Sequence, residues 1–209
     1  MLEEFLSSDV ITKILYEEKY RDFKERYNEL IDPSIIYVTD LVSCSHKYHL
    51  RHVLPELTFA FEPPHVLGDL VHRGLEEILS AKGFKVEYPV ETIVSIGEKQ
   101  YHVKGRIDAY DPDKGIVVEI KTARSSQGTP HYHHIEQIRF YLLFTGAKKG
   151  VLIYITPDRI VEYSIDPWED TGILETRVKE TIDDKVHPRW DWECRYCLFN
   201  RLCPYRKEQ

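Results

Sequence analysis

This chain is poor in soft and uncharged polar side chains. It has one methionine, two asparagines and four glutamines in 209 residues, against 30% charged residues. Such a shortage of thermolabile residues is the composition of a thermophilic protein. Long apolar runs are also missing, which excludes a membrane-spanning helix. The acidic start MLEEFLSSD has none of the features of a signal peptide, so a cytoplasmic protein is expected. Positive charge is not in excess. A net charge of −7 argues against a protein that coats nucleic acid, so any DNA contact must come from a localised basic channel. Internal repeats and low-complexity segments are absent. Four cysteines in a reducing compartment do not make a disulfide framework. The length suits one domain with an appendage rather than two domains.

What is present centres on Tyr101 to Ala123, which reads YHVKGRIDAY, DPDKG, IVVEIKTA. β-Branched and aromatic residues fill both arms, and Pro112, Asp113 and Gly115 supply turn chemistry, so a hairpin is predicted. A loop from Pro112 to Gly115 pairs Asp111 with Ile116. That register sets Asp108 opposite Glu119 and Arg106 opposite Lys121, with Ile107, Ala109, Val118 and Ile120 on the apolar face. Adjacent carboxylates repel unless a cation lies between them. The hairpin therefore reads as half of a divalent-metal site with a lysine beside it; scattered charges on a solvated sheet face are the alternative.

Around the hairpin, apolar spacing predicts helices over Ser8 to Leu30, Tyr37 to Val53, Val66 to Ala81, Pro130 to Phe144 and Trp168 to Asp183. Strands are predicted over Val86 to Ile96, Gly150 to Thr156 and Ile160 to Ile165. The stretch His46, Lys47, His49, Arg51 and His52 forms a basic surface able to grip phosphate, unless it is merely solvated. The third helix has an apolar stripe of Leu67, Leu70, Val71, Leu75, Ile78 and Leu79, with His72 at its edge and Gly68 one turn earlier. On the next helix Gln137 and Tyr141, four apart, share a stripe that can reach the sheet. His131, His133 and His134 lie near that helix's start as candidates for metal, phosphate or solvent contact.

The tail holds Cys194, Cys197 and Cys203 in the spacing C-x2-C-x5-C. Three thiolates do not close a tetrahedral site, and Cys44, far upstream, is the remaining candidate ligand. A shared centre would tie the two ends of the chain together. Zinc and an iron–sulfur cluster both use four cysteines, and spacing alone favours zinc.

The order His72, Asp108, Glu119-x-Lys121, Gln137-x3-Tyr141, bracketed by Cys44 and the tail cysteines, resembles the RecB-like branch of the PD-(D/E)xK nucleases. Within that branch it resembles the CRISPR-associated Cas4 exonucleases. The resemblance covers Val38 to Pro204 and departs from the family pattern at Ser45-His46, where Pro-Arg often follows the first cysteine. It implies an α/β, restriction-endonuclease-like core: a mixed central sheet flanked by helices, with an iron–sulfur clamp joining the N- and C-terminal segments. Its implied units are a helical region over 1–64, a nuclease core over 65–188 and a cluster-binding tail over 189–209. It also implies Mg²⁺ or Mn²⁺ held by His72, Asp108, Glu119 and the Ile120 carbonyl, with Lys121, Gln137 and Tyr141 completing the catalytic set. Cys44, Cys194, Cys197 and Cys203 would carry a 4Fe–4S cluster, with 2Fe–2S open. The implied activity is exonucleolytic cleavage of single-stranded DNA from a 5′ end in CRISPR adaptation, possible partners being the CRISPR integrase proteins. A DNA-end or protospacer-motif recognition subunit and a repair nuclease are the rival readings.

Overall fold

The computed structural model describes residues 8–207; the first seven residues of the acidic start and the last two of the tail lie outside the described residues. The elements run α1 (Val10–Leu30), β1 (Ile35–Tyr37), α2 (Val38–Leu41), α3 (Ser45–Val53), a 3₁₀ turn (Pro55–Thr58), α4 (Pro63–Ser80), β2 (Lys85–Ile96), β3 (Lys99–Asp111), β4 (Ile116–Thr122), α5 (Tyr132–Thr145), β5 (Lys149–Ile155), β6 (Ile160–Ile165), α6 (Ile173–Ile182) and α7 (Glu193–Tyr196). One mixed sheet carries them in the order β1-β3-β4-β5-β6, with β2 on the other edge of β3. No helix among the described residues is long and apolar enough to cross a membrane.

The predicted helix over Tyr37 to Val53 is corrected to a strand end and two helices. Ile35 to Tyr37 pair in parallel with His102 to Lys104. A break at Val42 and Ser43 then leaves Cys44, with an extended backbone, as the N-cap of α3. The 3₁₀ turn and Phe59 lead into α4 at Pro63. Phe59 packs on Tyr16, Tyr20 and Phe23 of α1 at 5.4–5.6 Å. The last predicted helix begins later, at Ile173, behind Gly172.

β3 is the long strand, and its two edges are used differently. β2 runs antiparallel beside it from Lys99 to Tyr110. On the other edge β1 takes residues 102–104 and β4 takes residues 109–111. Residues 105–108 therefore have no strand partner on that side. Asp111 pairs with Ile116, as the turn chemistry predicts, but the rungs stop at Ala109 and Val118.

The core divides across the sheet. On one side Ile138, Phe140, Tyr141 and Leu142 of α5 pack with Val103, Ile107, Val117, Leu152 and Tyr154. On the other, Ala109, Val118 and Ile120 meet Leu75 and Leu79 of α4. Ile107 thus belongs to the larger core and not to the cluster of Ala109. The α4 stripe is also narrower than its sequence suggests: Leu67, Leu70 and Ile78 are exposed.

Candidate active site

The gap at residues 105–108 is filled by side chains. Asp108 Oδ2 accepts the Ile120 backbone N–H at 2.6 Å, taking the place of a strand partner. Two residues upstream, the Arg106 backbone makes a hydrogen bond to the Tyr141 hydroxyl. Gln137 Nε2 donates to the same hydroxyl at 3.2 Å. Gly105 makes room for this: a Cβ there would lie 2.5 Å from the Tyr141 ring and 3.0 Å from Val38. On the β2 side the regular pairing skips Glu87, whose φ is +50°. Arg106 pairs with Glu87 at 2.7 Å rather than facing Lys121, because the rungs that would set Arg106 opposite Lys121 are missing.

Four ionisable groups converge on Asp108. His72 Nδ1 lies 3.5 Å from Asp108 Oδ1 and 3.9 Å from Glu76 Oε1, one turn along α4. Lys121 Nζ sits 2.5 Å from Glu119 Oε1. Among the described residues, His72, Glu76 and Asp108 are the one group of three His, Cys, Asp or Glu whose ligand atoms lie within 4.8 Å of one another. Glu119 is 1% exposed and Glu76 7%. Each has a buried oxygen with no hydrogen-bond partner, Glu119 Oε2 and Glu76 Oε1.

The electrostatics follow from that crowding. Burial, and then the charge of Asp108, push Glu119 up to about 7. Burial, with Glu87 and Asp108 nearby, raises Glu76 to about 7 as well. Burial opposes a charge on His72, but the hydrogen bond to Asp108 and that carboxylate's charge together outweigh it and raise the pKa. A buried carboxylate oxygen without a donor is costly, and a divalent cation is the partner that hard oxygen and imidazole ligands suit. Sequence reading missed Glu76; its signal was the i, i+4 spacing from His72 on a helix.

A cleft of about 750 Å³ opens beside this group between α1 and α4. Lys19, Arg26, Arg73 and Arg106 line it together with His72 and Glu76. Four of the five basic residues of the α3 stretch are used internally, which corrects the phosphate-gripping expectation for all but Lys47. Arg51 pairs with Asp40 at 2.9 Å, His46 with Asp184 at 2.7 Å, and His49 and His52 bond backbone carbonyls. His134 bonds the Tyr154 hydroxyl at 2.7 Å.

The four cysteines line one small cavity with Leu50, Pro188 and Asn200. Burial raises the Cys44 thiol to about 11, with the charge of Glu193 adding to it, and burial also raises Cys197. The tail is fastened to Cys44 by polar bonds that sequence reading did not find. Buried Glu193 accepts from the backbone N–H of Cys44 at 2.9 Å, Arg189 at 2.8 Å and Trp190 at 3.0 Å. Trp190 Nε1 reaches the Val42 carbonyl at 2.8 Å.

A mixed sheet with an Asp, a Glu-x-Lys and a helical His gathered where two strands part defines a class, and the family profile of the PD-(D/E)XK nuclease superfamily matches residues 80–204. The chain is 40% identical over 202 residues to the CRISPR-associated exonuclease Cas4 of Saccharolobus solfataricus (strain ATCC 35092 / DSM 1617 / JCM 11322 / P2), covering 93% of this chain and 98% of that one. It therefore belongs to the Cas4 family of PD-(D/E)XK nucleases. The crystal structure of SSO0001 superposes with a TM-score of 0.88 at 38% identity, over 95% of this chain and 98% of that one. An alkaline exonuclease from Laribacter hongkongensis shares the fold at a TM-score of 0.52 and 12% identity, over 77% and 90% of the two chains.

Proposed function

We propose that this protein is a divalent-metal-dependent exonuclease that shortens single-stranded DNA from its 5′ end and prepares spacer precursors in CRISPR adaptation. The observation that carries the reading is the pair of buried carboxylate oxygens on Glu119 and Glu76 that accept no hydrogen bond, beside Asp108 and His72. His72, Asp108, Glu119 and the Ile120 carbonyl would hold Mg²⁺ or Mn²⁺. When bound, the metal supplies positive charge at the scissile phosphate and acidifies water there.

The chain's own residues do the rest. Asp108 is fixed by the Ile120 N–H, so one oxygen stays turned to His72. Lys121, held by Glu119, places an ammonium where charge develops on the phosphoryl oxygens. Tyr141, clamped by Gln137 and the Arg106 backbone, keeps the gap in the sheet open and its floor rigid. The cleft between α1 and α4 opens onto the site and offers Lys19, Arg26, Arg73 and Arg106 to phosphates, interleaved with the carboxylates of Glu18, Asp22, Asp69 and Glu87.

Cys44, Cys194, Cys197 and Cys203 would hold the iron–sulfur cluster, as 4Fe–4S ahead of 2Fe–2S. They share one cavity, yet no three of their sulfurs lie within 4.8 Å of one another among the described residues. The CRISPR integrase proteins are the partners that this reading assigns.

Digestion of end-labelled single-stranded DNA with Mn²⁺ tests the assignment. Wild type should degrade it, Asp108→Ala and Lys121→Ala should not, and a blocked 5′ end should protect it where a blocked 3′ end does not. Equal activity in all three proteins would overturn the catalytic residues. Iron content and visible absorbance of the purified protein test the cluster.

A further inference from the structure

A row of aromatic rings leads away from the lysine of the site. Lys121 pairs across the sheet with Tyr154. The Tyr154 hydroxyl holds His134, and His134 lies 4.0 Å from the His133 ring, centroid to centroid. His133 in turn lies 4.9 Å from Trp192, and Trp192 lies 6.5 Å from Tyr196. The outer two rings are open to solvent, Trp192 at 43% and Tyr196 at 70%.

Neither of these outer rings lines the cysteine cavity, so covering that cavity does not account for them. Charge of the right sign accompanies the row: Arg195 lies 5.7 Å over the Tyr196 ring, and Lys47 and Lys121 both act electrostatically on His133. Burial lowers the His133 pKa to about 4, which keeps that ring a neutral aromatic surface at physiological pH. Neighbouring cations and exposed rings, ordered outward from a phosphodiester-cleaving site, are the surface that unpaired bases stack on. A duplex keeps its base faces to itself and has nothing to offer such a row.

We propose that Trp192 and Tyr196, continued inward by His133, form a stacking track for the unpaired bases of single-stranded DNA, which carries the strand to the carboxylates at Asp108. The track rests on the nuclease reading above and adds the residues that grip the strand outside the reacting atoms.

Fluorescence anisotropy with the full-length protein in the Asp108→Ala background, so that the strand is bound and not cut, tests it. An oligothymidylate is compared with an abasic strand of equal length. Trp192→Ala should weaken oligothymidylate binding about tenfold, and Tyr196→Ala by a few-fold. Binding of the abasic strand, and the dependence of affinity on salt, should stay unchanged. Trp192→Phe, which keeps a ring and the fold, should restore most of the loss. Equal loss on both strands, or no loss on oligothymidylate, would overturn the track while leaving wild-type digestion of DNA, and so the nuclease reading, standing. A wild type that neither cuts nor binds single-stranded DNA would overturn both.

Discussion

Helices α4 and α5 cover opposite faces of the same sheet and do so by opposite means. α5 buries six residues, among them Ile138, Phe140 and Leu142, and comes so close to β5 that a Cβ on Gly150 would lie 2.9 Å from the Ile138 side chain. α4 buries one residue, and that residue is Glu76. Its apolar contact is confined to Leu75 and Leu79, while ion pairs such as Lys19 with Asp69 at 2.5 Å tie it to α1. Apolar packing thus fixes the wall that carries Gln137 and Tyr141. The wall that carries His72 and Glu76 is tied to α1 by ion pairs, and its inner face crowds Glu76 and Asp108 around His72. One side of the site is preorganised by packing, and the other, on the function proposed above, would be completed by metal.

Asp108 is addressed from both walls, so its loss should have the largest effect. Asp108→Ala should lower Mn²⁺-dependent cleavage by roughly three orders of magnitude, read from the release of labelled nucleotides. The two walls should then separate in stability. Ile138→Ala should cost about 2–5 kcal/mol in a urea melt, whereas Leu70→Ala on α4 should stay within about 0.5 kcal/mol. A comparable loss at Leu70 would break the contrast.

Gly105→Ala probes the contact between the α5 wall and the gap. The new methyl group would press on Tyr141 and Val38, costing about 1–3 kcal/mol and slowing cleavage with little change in metal affinity. Metal affinity is read by titration calorimetry.

The smallest effects should come from Glu76, and they should change sign with metal. Glu76→Gln should raise the metal-free melting temperature by a few degrees at pH 8, because it removes a buried charge repelled by Glu87 and Asp108, and should reduce the gain produced by Mn²⁺. The pH dependence has the same origin. Glu76 and Glu119 stand near 7 in the fold, against 4.5 for an ordinary glutamate. The metal-free fold therefore binds more protons than the unfolded chain between those values. Its stability should fall as pH rises from about 4.5 to 7 and level off above, while Mn²⁺ affinity rises over the same interval.

The hairpin was legible because a Pro-Asp-x-Gly turn fixes register locally, and Asp111 pairs with Ile116 as that turn requires. The end of the ladder was not, because it depends on Asp108 outcompeting a strand for the Ile120 N–H and on the backbone at Glu87. The α4 period could be read, but the half of its stripe left in solvent could not, since that depends on how little sheet lies under it. Three residues of β1 gave no local signal for a parallel pairing some 67 positions away, Ile35 with His102. The cysteine spacing could be read from the chain; Glu193, which ties Cys44 to the tail, could not, because its role is a contact 149 residues long.

The gap in the edge of β3 acts as a ruler. It is bounded by Lys104, where β1 ends its pairing, and by Ala109, where β4 begins. The five rises from Lys104 to Ala109, at about 3.3 Å each, set an opening of about 16 Å. Its width is fixed by the lengths of two short strands and not by any loop. Loops at the rim of the sheet can therefore grow or shrink without moving the carboxylates apart, whereas a β1 extended by two residues would pair across half of the opening.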